Sequence, residues 1–198
     1  MFGPVIEGER IRLEPPRVEY APAYMRWFAD RAVTRYLVVR HPASLKKQEL
    51  WIDRMAASRD DVLWAMVRAT DGMLIGNLGL HRIGWRNRHA EMGYVIGERD
   101  HWGKGCATEA VKLATAYGFL ELGLRKMFAT VVMGNEASRR ALEKNGYRQC
   151  ALFRRDRYVE GQWHDLWVGE ILKEEWDALQ DGAHRPAGGD RSREEQPT

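Results

Sequence analysis

Cysteine is scarce in this chain: Cys106 and Cys150 are the only two in 198 residues. Two isolated thiols exclude a disulfide framework and the paired spacing of a structural zinc site, so both are expected to be ordinary buried thiols and no metal is expected. No run of eighteen apolar residues occurs, which excludes a helical membrane span. Met1-Phe2-Gly3-Pro4 leads into charged residues without the apolar stretch of a secretory signal. A cytoplasmic protein is the expectation. A surplus of one charge sign is also missing. The net charge is only +3, and Lys and Arg are scattered without a dense basic run, so nucleic acid is not expected as a direct partner. No internal repeat is visible. What is present is 44% apolar residues, enough for one compact α/β domain. Residues 1–180 read as that domain. Residues 181–198, rich in Gly, Pro and charge, read as a disordered polar tail.

Periodicity supplies the elements. Residues 10–14 alternate and predict a first strand, ended by Pro15-Pro16. Tyr20, Tyr24, Trp27 and Phe28 make one helical face. Ser44 is placed to cap a second helix whose inward stripe is Trp51, Ile52, Met55 and Ala56. Strands follow at 62–67, 74–81 and 89–96, the first two joined by the hairpin signal Asp71-Gly72. A helix carrying Ala110, Leu113, Ala114, Tyr117 and Leu120 on one face ends near Gly123. A strand at 126–133, a helix from Ser138, strands at about 147–154 and 163–172, and a short helix at 173–179 complete the reading.

The segment Asp100-His101-Trp102-Gly103-Lys104-Gly105-Cys106-Ala107-Thr108-Glu109-Ala110 carries the chemistry. It follows the strand end Tyr94-Val95-Ile96 and opens a helix. Two glycines one residue apart let the backbone bend and approach a ligand closely. The following N–H groups lie in a first helical turn and have no intrahelical acceptors. With the helix dipole they form a site for phosphate or pyrophosphate. A GxxxxGK[ST] phosphate loop is disfavoured because Cys106 and Ala107 follow Gly105. A dinucleotide fingerprint is disfavoured by Thr108 and by the absence of a suitably placed acid beyond the loop.

A second motif, Asn135-Glu136-Ala137-Ser138 through Lys144-Asn145-Gly146-Tyr147, completes the pattern. Together the two motifs resemble those of the GCN5-related N-acetyltransferases, over about residues 8–176, and their wording looks most like the ribosomal-protein alanine N-acetyltransferase (RimJ/RimL-like) branch. The resemblance implies an α/β fold. Its mixed sheet of about seven strands has a splayed parallel pair, with about four helices around it. It implies acetyl-CoA as acetyl donor and coenzyme A as product. The pyrophosphate would lie on Gly103, Lys104, Gly105, Cys106, Ala107 and Thr108. Pantetheine would lie against the main chain of Val95 and Ile96 and beside Asn135, Ser138 and Lys144. Asp100 departs from the Gln or Arg of many members, which removes one side-chain contact to the phosphates.

The resemblance also assigns chemistry. Many members use a Tyr further along the second-motif helix as the acid that protonates the leaving thiolate. Leu142 stands there, and Ser138 is the proposed substitute. Glu91 is the first candidate for the base, with Asp165 the alternative. Trp27, Trp85 and Trp163, with Glu91 and Asp165, are expected to line the acceptor groove, and Tyr158 to shape it. The function implied is acetyl transfer to a primary amine, first of all a peptide or protein N-terminal α-amine. A small-molecule acceptor (a polyamine, an aminoglycoside or another antibiotic) is the alternative, for which the acids Glu7, Glu9, Glu14 and Glu19 give weak support. A non-catalytic acyl-CoA sensor is a third reading. Neither a membrane partner nor a metal is implied, and a homodimer is left open.

Overall fold

The structure, a computed structural model, describes residues 1–37 and 44–184. Its elements in chain order are β1 (Ile6–Glu7), β2 (Ile11–Glu14), α1 (Ala21–Ala29), α2 (Arg31–Thr34), α3 (Leu45–Ala57), β3 (Val62–Arg68), β4 (Leu74–Gly84), β5 (His89–Ile96), α4 (Cys106–Leu120), β6 (Lys126–Val132), α5 (Glu136–Glu143), β7 (Arg148–Val159), β8 (Gln162–Leu172) and α6 (Lys173–His184). The eight strands form one sheet in the order β1-β2-β3-β4-β5-β6-β8-β7. Every neighbouring pair is antiparallel except β5–β6. The seven predicted strands are all present. The two-residue β1 is additional and too short to show periodicity.

Helix boundaries follow local chemistry. Ser44 Oγ accepts from Lys47 N, and Asp30 Oδ1 from Ala32 N. Each such cap is worth about 1 kcal/mol. In α3, Ile52 and Met55 are buried as expected, while Ala56 is exposed. The α6 helix runs to His184, past the predicted end at 179 and into the stretch read as tail. The rest of that tail, 185–198, lies outside the described residues.

One sheet face packs on α4 through Cys106, Ala110, Val111 and Ala114, with Trp64, Met66, Leu78, Leu80 and Met127 beneath. The other face carries α1–α3 through Ala21, Tyr24, Trp27, Val33 and Ile52. Trp64 and Trp167 are fully buried, and each such ring stabilises the fold by roughly 3 kcal/mol relative to an exposed one. Among the described residues no helix is long and apolar enough to cross a membrane.

The feature that positions a site lies at the centre of the sheet. Parallel pairing of β5 and β6 covers only His89↔Lys126, Ala90↔Met127 and Glu91↔Phe128. Beyond Glu91, β5 stays on β4 as far as Gly76↔Ile96, and β6 stays on β8 as far as Val132↔Leu166. The two strands therefore diverge, and a wedge opens at their C-terminal ends. This is the crevice where open α/β sheets bind ligands.

Candidate active site

The glycine loop sits at the mouth of this wedge. Gly103 and Gly105 have φ of 72° and 83°, a region that L side chains adopt only under strain. Nothing lies within 4 Å of a Cβ built on Gly103, and the nearest atom to one on Gly105 is Arg10 Nε at 3.9 Å. The space before the loop is open, and the first N–H groups of α4 point into it. Glu109, in the first turn of α4, accepts from Glu9 N and from Arg10 N at 3.0 Å, which ties the loop to the β1–β2 turn.

A cavity of about 720 Å³ extends from this loop to α5 and α2. Val95, Ile96, Gly103, Gly105, Cys106, Ala107, Thr108, Asn135, Ser138 and Lys144 all line it. Lys104 alone among the predicted donor-site residues does not, and its side chain is exposed. Arg35, Arg140 and Lys144 face the cavity against one carboxylate, Glu136, a balance suited to a phosphorylated ligand. Burial pushes the Cys106 thiol above its ordinary pKa, which makes it a poor nucleophile. Cys150, expected to be buried, is exposed on β7.

Backbone directions in β5 follow from two hydrogen bonds. Gly97 N donates to Ile75 O at 2.8 Å on the β4 side, and Arg88 O accepts from Arg125 N at 2.8 Å on the β6 side. Backbone groups alternate sides along a strand, so Met92, Tyr94 and Ile96 turn theirs to the wedge. Val95 turns its N–H and C=O toward β4, opposite Asn77. The backbone groups that face the wedge next to the expected Ile96 are therefore those of Tyr94, not Val95. Ile96 O accepts from Trp102 Nε1 at 2.8 Å.

A second cavity, of about 490 Å³, opens on the other side of the wedge. Tyr36, Leu37, Tyr94, Asn135 and Ser138 line both cavities and form the waist between them. Asn135 caps α5 by accepting from Ser138 N at 3.3 Å, so it has a local structural role at the same place. Tyr94 Oη lies 2.9 Å from Ser138 Oγ and 2.9 Å from Ser138 O. Burial raises the Tyr94 phenol to about 12. Leu142, at the position of the family's usual Tyr, is fully buried and lines the second cavity. Glu91 also faces this cavity. Its Oε2 pairs with Arg82 and its Oε1 accepts from Thr130 Oγ1 at 3.3 Å.

A waist carrying the hydroxyl groups of Tyr36, Tyr94 and Ser138, between a cavity at the glycine loop and a second cavity with a carboxylate, is a geometry for transfer between two ligands. A family model described as "Acetyltransferase (GNAT) domain" matches residues 10–148. The chain belongs to the GNAT acetyltransferase family. YoaA of Bacillus subtilis, named an uncharacterized N-acetyltransferase, is 32% identical over 173 residues, covering 86% of this chain and 97% of that protein. YdaF of Bacillus subtilis, provisionally named a ribosomal N-acetyltransferase, is 38% identical over 107 residues, 54% of this chain and 58% of YdaF. The spermidine N-acetyltransferase of Vibrio cholerae, solved with CoA and spermine, superposes with a TM-score of 0.79 at 20% identity, covering 85% of this chain and 99% of that one. At that identity the likeness concerns the fold alone. This protein is an acyltransferase enzyme, and its family uses acetyl-CoA as a substrate.

The structure places the expected acceptor residues of this acetyltransferase differently. Trp27 is buried under α1–α3, and its Nε1 donates to Glu98 Oε1 at 2.8 Å. Trp85 stands at the β4–β5 turn, where its indole donates to Arg59 O at 3.1 Å. Trp163 packs against Tyr158 in a tilted pair at the exposed β7–β8 tip, ring centres 5.2 Å apart. None of these four lines either cavity. Aromatic residues drew that prediction by type, and their actual surroundings are core and hairpin ends. Asp165 also lines neither cavity, and its Oδ1 accepts from Arg155 N at 2.8 Å. Among the predicted acceptor residues Glu91 alone faces the second cavity. Tyr36, Tyr94, Arg82 and Arg157 were missed. Only Tyr94 had a nearby signal, since it adjoins the strand end already singled out.

Proposed function

We propose that this acetyltransferase moves the acetyl group of acetyl-CoA directly to a primary amine, most readily the α-amine of a peptide or protein N-terminus, and that it belongs to the RimJ/RimL-like branch. The observation that carries the reading is the shared waist: Tyr94, Asn135 and Ser138 face both cavities, so donor and acceptor can meet without a covalent enzyme intermediate. The glycine loop and the first turn of α4 hold the pyrophosphate, and the wedge-facing backbone of Tyr94 and Ile96 pairs with pantetheine. The amine nitrogen attacks the thioester carbonyl carbon, the C–S bond breaks, the amine proton passes to Glu91 Oε1, and the thiolate accepts a hydrogen bond from Ser138 Oγ and takes its proton from solvent. A thiol with a pKa of about 8.5 needs only a weak donor. Tyr94 acts here as a positioning residue: its hydroxyl donates to Ser138 O and lies 2.9 Å from Ser138 Oγ, which fixes the serine side chain at the waist.

Acceptor chemistry follows from charge and pKa. None of Glu7, Glu9, Glu14 and Glu19 faces the second cavity. Glu14 is buried between Arg12, Arg17 and Tyr20, at 2.9, 2.8 and 2.6 Å. A polyamine would meet one carboxylate, Glu91, that already carries an arginine. A peptide α-amine, with a pKa of about 7.7–8.0, is substantially neutral near pH 8, whereas a lysine side chain at about 10.4 is not. The name of YdaF supports the same direction. Mass spectrometry of the enzyme with acetyl-CoA and Ala- or Ser-initiated peptides, spermidine and an aminoglycoside tests the reading. Acetylated peptide α-amines are expected, and turnover of spermidine or the aminoglycoside with none on the peptides overturns it.

A further inference from the structure

Two arginines reach the acceptor cavity by the same device. On β4 the register shifts between His81 and Gly84, so two residues oppose one on β5. Arg82 sits in that bulge with φ of 51°, and its N–H donates to Asp61 Oδ1 at 3.3 Å. Asp61 also meets His81 Nδ1 at 3.0 Å. On β7 the register shifts between Phe153 and Arg157. Arg155 has φ of 49°, and its N–H is held by Asp165 Oδ1 at 2.8 Å. A bulge re-aims the side chains beside it, and a non-glycine residue at positive φ is strained and persists only where its surroundings enforce it. Here two separate carboxylates hold two separate bulges, and Arg82 and Arg157 converge on one cavity.

The charge that results is opposite to a polycation site. Among the described residues Glu91 is the one carboxylate lining the cavity, against two guanidinium groups, and Asp156 pairs with Arg157 from outside the lining. It is paired with Arg82. Among the described residues Arg157 is held by Asp156 through Nη1, which leaves the rest of its fork for a planar anion. A second ammonium on the acceptor finds no unpaired carboxylate here, whereas a carboxylate can take the free arm of Arg157.

We propose that the acceptor carries a carboxylate a few bonds from its amine, recognised by Arg157 with Arg82 beside it. The proposal rests on the acetyl-transfer reading of this cavity. Two sources have that chemistry: a peptide with an acidic residue at its first or second position, and a free α-amino acid. Asp165 is a positioning residue that holds the Arg157 bulge.

The test uses the full chain with saturating acetyl-CoA and compares kcat/KM for otherwise identical Ala-Glu- and Ala-Lys-initiated peptides, free glutamate and spermidine. The wild type is expected to favour Ala-Glu over Ala-Lys by about tenfold or more, the scale of one charge-assisted hydrogen bond. Arg157→Gln should remove most of that preference through KM with kcat little changed, and Arg157→Glu should invert it. Asp165→Ala should weaken the preference, and Asp165→Asn, which keeps an acceptor for Arg155 N, should restore it. Glutamate used better than either peptide identifies the free amino acid as the source, and Ala-Glu used best identifies the peptide. Transfer that ignores acceptor charge, with the Arg157 variants unchanged and still binding acetyl-CoA, overturns this proposal alone, and spermidine used best overturns it together with the preference for an α-amine. No transfer to any acceptor by an enzyme that binds acetyl-CoA overturns it together with the acetyl-transfer reading.

Discussion

The two cavities on either side of the waist are built by different means. The donor side is made of backbone: left-handed glycines, the open first turn of α4 and the wedge-facing groups of β5. Its lining comes from three short stretches of sequence, 32–37, 94–108 and 134–144. The acceptor side is made of side chains from β4, β5, β6, β7 and the segment after α2, brought together by register shifts that no single stretch encodes. A site built from local backbone is robust to side-chain change and sensitive to backbone strain. One built from bulges and long side chains is tuned residue by residue. Variants on the two sides should therefore fail in different ways.

The largest effect is expected at Gly105. Valine there must take φ of 83°, which a β-branched residue tolerates poorly, and its methyl groups enter the pyrophosphate position. Acetyl-CoA affinity measured by calorimetry should fall by about a hundredfold or more, near 2.8 kcal/mol. Backbone strain should lower stability by about 1–3 kcal/mol. Undiminished affinity in a folded Gly105→Val variant would break the contrast, because the donor side would then not depend on its backbone.

At the waist the expected effect is smaller and falls on turnover. Ser138→Ala and Tyr94→Phe should each lower kcat by roughly 10- to 100-fold, with the KM for acetyl-CoA little changed. The Tyr94 phenol, raised to about 12, stays protonated and keeps its hydrogen bond throughout pH 6–10. Its removal should thus lower the pH–rate curve evenly over that range. A change of slope within it would mean that Tyr94 exchanges a proton during turnover.

What was legible in the sequence divides along the same line. The strands and the capped helices were readable because each depends on a local period or cap. Ser44, Asn135 and Gly103-x-Gly105 are found where their chemistry predicts. The expected donor-site residues other than Lys104 line the first cavity, and strand alternation turns the backbone of Tyr94 rather than Val95 to the wedge. On the acceptor side Glu91 alone was found. Bulges break the period-2 rule by which strand residues are assigned to faces, so Arg82 and Arg157 carried no signal. The tryptophans carried a strong signal by type, but an indole serves a core or a hairpin end as readily as a groove. Asp165 was read as a reacting group, and its carboxylate in fact holds a bulge.

The finest probe of the acceptor side is Glu91→Gln. The amide keeps the size of the side chain and an oxygen for Arg82 or Thr130, and it removes the ability to take up a proton. Near pH 9 most of a peptide α-amine, pKa about 7.7–8.0, is already neutral, and water can receive the proton released after attack. There the loss in kcat/KM should be only about threefold. Near pH 6.5 most of the amine arrives as ammonium and must lose a proton at the site, so the loss should grow to roughly thirtyfold. The widening gap toward acid is the signature of a base, because a residue that merely held Arg82 in place would lower the curve by one factor at every pH. If the wild-type and variant profiles superimpose after scaling, Glu91 serves Arg82 and the proton leaves through solvent.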